Sequence, residues 1–368
     1  MQNIVGFPRK FLPLLRCVRD AGQLSICREA QGDGDAVVDG SMRCVECSQE
    51  YPIENGVVRL MTDTLTQETQ HEIALKDREY EAMPEVFTPP ASGWRSEFAD
   101  QIEIPPHLGA LHPLESCRVL ELGCGDGRFT LLMAQLGAEV LAVDFSFAAL
   151  RKVGDHLLSG AAPTTYKLAS PRTVGGFVGK VGLVQADASN LQVAARSFDR
   201  ALSATPLDSR DERMKMFRMV AESLTDDGRY VGGVEYDDLY RKLFGMPLVR
   251  RYNPDGILIE HLDFATLRRE AIPYFGRLRM LTIRARIPLV EQKLAKRLPA
   301  LAVAVSRIVC ALPGFKHLGE LLLLSAERPR RLPVEGARRP GFVAAKNVYR
   351  WYRRRQGQEP MWDPGCRV

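Results

Sequence analysis

The stretch VLELGCGDGRFT, residues Val119–Thr130, places three glycines at alternate positions directly after an apolar run. The run ends at Leu122 and has the composition of a buried strand. Gly123, Gly125 and Gly127 would then form the turn between that strand and the following helix. Glycines at such a turn let the backbone approach a ligand closely. The stretch therefore predicts a ligand site at a strand-to-helix turn of an α/β domain.

Further apolar runs follow the first one at regular intervals, with helix-like stretches between them. In chain order the five runs are CRVLEL, EVLAVDF, GLVQAD, DRALSA and RYVGGVEY. Short apolar strands that alternate with helices are typical of a parallel sheet covered on both faces. With right-handed crossovers, this pattern predicts a doubly wound, Rossmann-like α/β sheet. After the fifth run we expect a helix that begins at Asp263, and two more strands, GRLRMLTIRARI and GELLLLSAER.

The glycine spacing differs from the dinucleotide fingerprint GxGxxG, because Arg128 stands where the third glycine would be. Glu121 and Asp126 add carboxyl groups, which suit a ligand with a cationic amino group and a sulfonium better than a pyrophosphate. In this ExGxGxG pattern the chain resembles the class I S-adenosylmethionine (AdoMet) methyltransferases. The resemblance covers residues 117–236 well and extends more loosely to residue 327.

The resemblance implies cofactor-binding roles for residues at successive strand ends. The acid before the turn would help to organise the methionine end of AdoMet. Asp144, at the end of the second run, would accept both ribose hydroxyl hydrogens, and Phe145 would pack on the adenine. Asp187 would accept the adenine amino group, with the next backbone N–H on the ring. The full predicted set is Glu121, Gly123, Cys124, Gly125, Asp126, Gly127, Asp144, Phe145, Asp187, Ala188 and Ser203.

The catalytic residues are not determined by the sequence. Methyl transfer mainly requires alignment of the acceptor and exclusion of water, and it needs a base only when the acceptor carries a proton. Glu235, Tyr236 and His261 lie where family members often contact substrate, so they are the candidates. The alternatives are a hydrogen-bonded loop or core histidine for His261 and a solvated strand-end residue for Glu235.

The N-terminal cysteines resemble a zinc ribbon fused ahead of methyltransferase domains. Cys44 and Cys47 form an intact CxxC knuckle, whereas the other knuckle has Cys17 with Asp20 in place of its second cysteine. Zinc also accepts a carboxylate oxygen, so these four residues are the predicted ligands, with Cys27 as a rival fourth ligand. The alternative is a ribbon that has lost its metal and is held by packing.

Composition shifts divide the chain into segments. We expect a zinc-ribbon-like segment, a helical connector and cofactor lid, an AdoMet-dependent methyltransferase domain with a helical insertion, and a basic tail. Their bounds are 1–62, 63–116, 117–327 with the insertion at 290–317, and 328–368. Pro105 and Pro106 are expected to interrupt the connector. Every residue assigned to AdoMet lies in the third segment, so ribbon and tail are expected to be dispensable for cofactor binding.

The formal charge of +5 is unevenly distributed, since residues 328–355 carry +9 and residues 1–327 carry −3. An acidic body and an apolar insertion favour a small-molecule or lipid-linked substrate. The insertion would close the domain core, line a substrate pocket or lie on a membrane surface. The arginines and aromatics of the tail suit RNA phosphates or an anionic membrane, which leaves an rRNA or tRNA base methyltransferase as the alternative. A non-catalytic binding protein is a third reading.

The cellular location is predicted from targeting and membrane features that the sequence lacks. No stretch has the pattern of a secretory signal or the length of a membrane-spanning helix. The eight cysteines are too sparse for a disulfide framework in a chain of 368 residues. We therefore expect a cytoplasmic protein.

Overall fold

The structure is a computed structural model, and Met1–Arg331 belong to one compact unit. The basic tail beyond Arg331 lies outside the described residues. The described residues are 5–32, 34–62, 65–84, 87, 96–169, 180–204, 209–235, 251–252, 258–259, 262–285, 293–312 and 319–331.

The described residues form strands and helices that alternate through the middle of the chain. The strands are β1 (Phe7–Pro8), β2 (Leu24–Gly32), β3 (Ala36–Cys44), β4 (Glu50–Glu54), β5 (Val57–Arg59), β6 (Arg118–Leu122), β7 (Glu139–Asp144), β8 (Val181–Gln185), β9 (Phe198–Ser203), β10 (Leu224–Glu235), β11 (Arg251–Tyr252), β12 (Leu258–Ile259), β13 (Phe275–Ala285) and β14 (Gly319–Pro329). The helices are a 3-10 helix (Arg9–Leu14), α1 (Gln67–Glu81), α2 (Glu97–Leu111), α3 (Arg128–Gln135), α4 (Phe147–Ser159), α5 (Arg210–Ser223), α6 (Phe264–Ala271), α7 (Ala295–Arg297) and α8 (Pro299–Ala311).

One 12-stranded sheet runs through the unit in the order β1-β3-β4-β5-β8-β7-β6-β9-β10-β14-β13, with β2 paired to β3. The strands from β5 to β10 are parallel, and β14 is antiparallel to both of its neighbours. The strand order reverses between β6 and β9, which is where doubly wound sheets bind ligands. The predicted Rossmann-like α/β fold is confirmed, and the five predicted runs are β6 to β10.

The N-terminal segment extends this sheet. β5 pairs in parallel with β8, with Val57 opposite Leu183. Phe7 and Phe11 are fully buried, and a Cβ added at Gly182 of β8 would lie 2.9 Å from the Phe11 ring. The predicted boundary at residue 62 therefore divides the chain in sequence, while the sheet itself continues across it.

Helix α2 crosses the region where Pro105 and Pro106 were expected to interrupt the connector, and that expectation was wrong. The Ser96 hydroxyl caps the helix by accepting the N–H of Ala99 at 3.3 Å. Pro105 cannot donate to the carbonyl of Gln101, four residues earlier. Arg307 donates to that carbonyl instead, at 3.0 Å. This replacement donor at Gln101 and the buried apolar face of α2 thus help to keep the proline-containing segment helical.

The predicted helical insertion is described over residues 293–312 and contains α7 and α8. Helix α8 packs against α2 through Ala302 and Val303, which contact Phe98 and Ile102. Among the described residues, no helix combines the length and the apolar character that crossing a bilayer requires.

Candidate active site

The glycine turn follows β6 and is attached to the end of β7. The N–H groups of Gly123 and Cys124 both donate to the carbonyl of Val143, at 2.8 and 3.0 Å. Gly123, Gly125 and Gly127 have φ of +68°, +55° and +92°, a region that glycine adopts at little cost. A Cβ at Gly123 would meet no heavy atom within 4 Å, so open space faces the turn there. The turn has the shape of a cradle for a ligand.

Asp144 ends β7 directly beside this turn. One carboxylate oxygen accepts the N–H of Gly125 at 2.8 Å, and the other accepts the N–H of Ser146 at 2.9 Å. Burial raises the pKa of Asp144 to about 6, and the two N–H donors oppose that rise. Each oxygen keeps a second lone pair, so the carboxylate is oriented and can still accept a ligand hydroxyl.

Glu121 lies on β6 before the turn and is almost completely buried. Its carboxylate accepts the Thr130 hydroxyl of α3 at 2.6 Å. Burial raises the pKa of Glu121 to about 8, and the Thr130 hydroxyl lowers it in part. Burial also raises the pKa of the neighbouring Cys124 thiol well above its usual range, so Cys124 behaves as a small apolar side chain.

Several carboxyl groups share one crevice at the carboxyl edge of the sheet. The pKa of Glu72 on α1 is raised first by burial and then by the charges of Glu212, Asp144 and Asp187. Lys76 opposes this effect. Carboxyl groups gathered at this edge suit a cationic ligand better than a pyrophosphate.

Two further predicted cofactor residues already make hydrogen bonds within the protein. Asp187 accepts the Ser189 N–H at 2.8 Å, the Ser189 hydroxyl at 2.9 Å and the Asn190 amide at 2.7 Å, all within its own turn. The Ser203 hydroxyl is hydrogen-bonded to Tyr230. Ser203 ends β9 and Asp187 lies in the turn after β8, and the Asp187 oxygen that accepts the Ser189 N–H keeps a second lone pair.

The remaining predicted cofactor residues lie around the same edge. Asp126 is buried in the glycine turn, and Phe145 is half-buried after β7. The carbonyl of Phe145 accepts the Gln185 amide of β8 at 3.0 Å. Ala188 is half-buried in the turn after β8. The chain thus brings these residues to the carboxyl ends of three neighbouring parallel strands.

Helix α1 contributes residues that the sequence did not single out. Asp77 accepts the Ser146 hydroxyl at 2.5 Å and the Ala148 N–H at 3.1 Å, so it joins α1 to the start of α4. A Cβ added at Gly125 would lie 2.7 Å from the Tyr80 hydroxyl. The segment was predicted as a lid, but nothing in its polar pattern marked Asp77 or Tyr80.

His107 on α2 was also missed, because it follows the two prolines that were expected to interrupt the connector. Its Nδ1 lies 2.6 Å from the carbonyl of Glu103, and its ring contacts Phe129 at 5.3 Å between centroids. Burial lowers the pKa of His107 to about 4, so the ring is neutral. Its buried Nε2 has no hydrogen-bond partner among the described residues and faces Gly233 of β10. The structure therefore offers a buried acceptor atom near the carboxyl end of β10.

The catalytic candidates are only partly described. Glu235 is the last residue of β10, half-buried, and its carbonyl accepts the Leu262 N–H at 3.1 Å. Tyr236 and His261 lie outside the described residues. No relation among the three side chains is therefore established.

The four predicted zinc ligands lie together. One ligand atom each from Cys17, Asp20, Cys44 and Cys47 falls within 4.8 Å of the other three. The sulfur atoms of Cys17 and Cys47 are 3.6 Å apart, and the Cys44 sulfur lies 3.4 Å from an Asp20 oxygen. Cys27 lies apart from them, 3.1 Å from the Ser41 hydroxyl, so it does not join the group.

The backbone around these ligands favours an ionised Asp20. The N–H of Gly22 donates to its carboxylate at 2.9 Å, and this bond, followed by those from the thiols, lowers the pKa of Asp20 to about 2. Three sulfur atoms and one carboxylate oxygen are a donor set that tetrahedral zinc accepts. The residues present thus fit a structural zinc ion.

Comparisons with known proteins agree with this geometry. The family model described as "Methyltransferase domain" matches residues 120–232. That range runs from within β6 to within β10 and includes the glycine turn, Asp144 and Asp187. The chain therefore carries a methyltransferase domain, the enzyme class that the sequence predicts.

Individual relatives are similar over limited stretches or at low identity. Phosphoethanolamine N-methyltransferase 3 of Arabidopsis thaliana is 45% identical over 53 residues, which are 14% of this chain and 11% of that protein. The 1,6-didemethyltoxoflavin-N1-methyltransferase of Burkholderia thailandensis is 16% identical, with a TM-score of 0.46 over 78% of this chain and 98% of that one. An S-adenosylmethionine-dependent methyltransferase of Mesorhizobium loti is 19% identical, with a TM-score of 0.40 over 62% and 98%.

Proposed function

We propose that the chain is an AdoMet-dependent methyltransferase whose acceptor is a small molecule or a lipid-linked metabolite. The acidic crevice beside an open glycine turn carries the proposal. AdoMet has a cationic amino group and a sulfonium, whereas a dinucleotide brings two phosphates to the same place. The carboxyl groups of the site raise the pKa of one another, which means that they lie close together. Such a group of carboxyls suits AdoMet better than a dinucleotide.

The residues of the site would hold AdoMet by complementary charge and hydrogen bonds. When bound, AdoMet supplies a methyl group on a positively charged sulfur. The buried carboxyl of Glu121 stabilises positive charge at the methionine end, and Asp144 accepts the ribose hydroxyls. Gly123 admits the cofactor to the backbone, while Tyr80 and the rest of α1 exclude water. The predicted adenine contact would be made by the remaining lone pair of the Asp187 carboxylate and by the backbone N–H of Ala188.

His107 extends the proposal to the acceptor side. Its neutral Nε2 accepts a hydrogen bond and faces Gly233, next to the carbonyl of Ala204 at the end of β9. A hydroxyl or amine of the methyl acceptor that lies here would donate its proton in a hydrogen bond to Nε2, and His107 would thereby orient it. Glu235, one of the candidates from the sequence, lies two residues beyond Gly233 at the end of β10.

The choice of acceptor class rests on charge and on one relative. The body of the chain carries −3, which disfavours an RNA substrate. The curated relative is named for phosphoethanolamine, a small molecule. An rRNA or tRNA base methyltransferase remains the alternative because residues 328–355 carry +9. A non-catalytic protein that keeps the fold is the third hypothesis, and the cytoplasmic location stays a prediction.

Calorimetry on the full chain tests the cofactor. We expect AdoMet to bind and NAD to bind more weakly or not at all. Asp144→Ala removes two charge-assisted bonds and should cost about 2–4 kcal/mol of AdoMet binding. Asp39→Asn, in the N-terminal segment, is the matched control and should bind AdoMet normally. Unchanged affinity in Asp144→Ala, or preference for NAD, would contradict the cofactor assignment.

A second experiment separates the three substrate hypotheses. The purified chain is incubated with AdoMet labelled on its methyl group and with total RNA, a metabolite extract or a lipid extract. We expect label in a small molecule or a lipid. Label in RNA that disappears after removal of residues 332–368 would favour the alternative. AdoMet binding without transfer to any fraction would favour the non-catalytic protein.

We also propose that Cys17, Asp20, Cys44 and Cys47 hold a structural zinc ion that joins the two N-terminal turns. The support is the distance of at most 4.8 Å between any two ligand atoms. Elemental analysis should find about one zinc per chain, since a closed four-ligand site binds tightly. Cys44→Ala should lose it, whereas Cys27→Ala should keep it. Zinc absent from freshly purified wild-type protein, or lost from Cys27→Ala, would contradict this site.

A further inference from the structure

Helix α8 is apolar around its whole circumference. Its sequence, PALAVAVSRIVCA, contains only Ser306 and Arg307 as polar side chains. A helix of this composition is usually buried on all sides, in a core or in a membrane. Here only the inner side is buried: Ala302 and Val303 pack on α2, and Ser306 is buried as well. The composition of the outer side is therefore unexplained by the fold.

The outer side presents large apolar side chains to solvent. Leu301 is 50% exposed and Ile308 is 60% exposed, and Leu298 and Leu312 flank them at the helix ends. Leu281 of the adjacent β13 is 53% exposed. These five residues, called the α8 surface below, are among only eight large apolar side chains exposed in the described part of the chain. A cluster of this kind marks an interaction site, whereas scattered exposed residues do not.

An open groove adjoins the α8 surface and extends its apolar character. Its volume is about 380 Å³ and it runs between α2, β13 and the C-terminal half of α8. Arg307 stands at its edge. The lining residues from α2 and β13 are Ile102, Pro105, Pro106, Leu281, Thr282 and Ile283.

The charged side chains within residues 293–312 all have the same sign. Lys293, Lys296 and Arg297 are exposed just before α8, and Arg307 is exposed on it. Residues 293–312 contain no acidic residue. Apolar side chains flanked by lysine and arginine are the pattern of helices that lie in the interface of an anionic membrane.

We propose that the α8 surface docks the protein on an anionic lipid bilayer, with the leucine and isoleucine side chains below the headgroups. The lysines and arginines would contact lipid phosphates, which attract basic residues near the surface. Charge complementarity distinguishes this partner from two others. A second copy would bring an equally basic surface, and residues 328–355 of the chain's own tail carry +9, so both would be repelled. This proposal does not depend on methyl transfer.

Vesicle flotation of the full chain, without AdoMet, tests the proposal. The vesicles are phosphatidylcholine alone or phosphatidylcholine mixed with phosphatidylserine. We expect binding to the mixed vesicles, and a roughly tenfold loss of affinity in Leu301→Gln/Ile308→Gln because two apolar side chains no longer enter the bilayer. The matched control is Leu158→Gln/Ile272→Gln, which changes two exposed apolar residues away from α8 and should bind as the wild type does. Lys293→Gln/Lys296→Gln/Arg297→Gln should weaken binding to mixed vesicles and remove part of its salt dependence.

The basic tail is present in all of these variants, so differences among them report on α8. Equal flotation of Leu301→Gln/Ile308→Gln and the wild type would overturn the proposal, as would equal losses in that variant and its control. A wild-type dimer that becomes monomeric in Leu301→Gln/Ile308→Gln, with vesicle binding unchanged, would instead identify a second copy as the occupant. Loss of vesicle binding in the α8 variant with calorimetric AdoMet binding retained would support docking independently of the proposed chemistry.

Discussion

Two buried carboxyl groups at the glycine turn, Glu121 and Asp144, make the free protein sensitive to pH. Burial raises the pKa of Glu121 from 4.5 to about 8 and that of Asp144 from 3.8 to about 6. A raised pKa in the folded state means that the protonated group is tolerated and the ionised group is costly. The free energy of unfolding should therefore fall as pH rises from about 4 to 8 and level off above 8.

In the upper part of this pH range, the change in the free energy of unfolding comes from Glu121 and no longer from Asp144. Between about pH 6 and 8, the slope should approach roughly 1.4 kcal/mol per pH unit, the value for one proton. Glu121→Gln should flatten it there, because glutamine cannot ionise, while the Asp144 contribution below pH 6 remains. Denaturant unfolding at a series of pH values measures both. A slope that is the same in Glu121→Gln would show that the carboxyl is hydrated and not buried.

Gly125 should tolerate no side chain, for two separate reasons. Its φ of +55° is costly for other residues, and a Cβ would lie 2.7 Å from the Tyr80 hydroxyl. Gly125→Ala should lower the free energy of unfolding by about 1 kcal/mol or more and should weaken AdoMet binding. Tyr80→Phe removes the close hydroxyl, so Gly125→Ala/Tyr80→Phe separates the two causes. Recovery of cofactor binding in the double variant would identify Tyr80 as the obstacle, and no recovery would identify the backbone.

His107 is expected to act on the acceptor and not on the cofactor. His107→Phe keeps an aromatic ring beside Phe129 but removes both ring nitrogens, the buried Nε2 and the Nδ1 that contacts the Glu103 carbonyl. We expect methyl transfer to fall by about tenfold or more, with calorimetric AdoMet affinity within about twofold of the wild type. An equal loss of both would mean that His107 holds α2 in place and does not orient the acceptor.

Residues of the site differ in how well the sequence could reveal them. The positions of Gly123 and Asp144 at the carboxyl edge were predictable because Gly123 follows β6 and Asp144 ends β7, and the strand ends of a parallel sheet meet at one edge. The side-chain direction of Asp187 was not predictable, since a carboxylate at a strand end can equally bond its own turn. His107 and Tyr80 reach the site from helices whose packing no local pattern reports.

At the scale of elements, α1 is joined to the rest of the domain beside the glycine turn by polar contacts. Asp77 connects it to the start of α4, where Ser146 is the capping residue. Asp77→Ala should open α1 and weaken AdoMet binding by about 1–3 kcal/mol, because a buried hydroxyl and N–H lose a charged acceptor. Hydrogen exchange should become faster in residues 67–81 than elsewhere, whereas Glu81→Ala at the exposed end of α1 should change neither property. Faster exchange throughout the chain would indicate general destabilisation.

Elements with a strong apolar periodicity or a clear capping residue were predicted correctly. Helix α2 was not, because a break was expected at Pro105 and Pro106. Asp263 caps α6 as predicted, with its side chain accepting the Thr266 N–H at 2.6 Å. Pro105 and Pro106 argued against α2, because proline removes helix hydrogen bonds. The donor that compensates, Arg307, is more than 200 positions later in the chain. Compensation by a distant residue is a tertiary effect that local sequence cannot report.

At the scale of the whole molecule, the N-terminal segment and the methyltransferase domain should unfold together. Phe11 is fully buried and packs against Gly182 of β8. Phe11→Ala should lower the free energy of unfolding by about 3–5 kcal/mol in a single transition. Calorimetry measures the number of transitions, with removal of residues 332–368 as a control that should change neither stability nor AdoMet affinity. Two transitions in Phe11→Ala, the second at the wild-type temperature, would show independent domains.

The predicted dispensability of the ribbon is revised by the same feature. The cysteine pattern identified the two N-terminal turns, and the Val- and Leu-rich runs identified the parallel strands. Neither pattern predicts that Val57 pairs with Leu183, because the sequence of a short strand does not indicate which distant strand it will pair with. We therefore expect removal of residues 1–62 to expose the edge of β8 and to promote aggregation.

The pairing of β5 with β8 also sets an order of events during synthesis. Residues 57–59 leave the ribosome more than 120 residues before their partners at 183–185. Until those partners emerge, the N-terminal hairpins can be held only by their own contacts, including the turns that bring Cys17 and Cys47 together. Long-range pairing of this kind is formed late in folding. A metal ion captured by the nascent chain would keep the early hairpins intact during that interval.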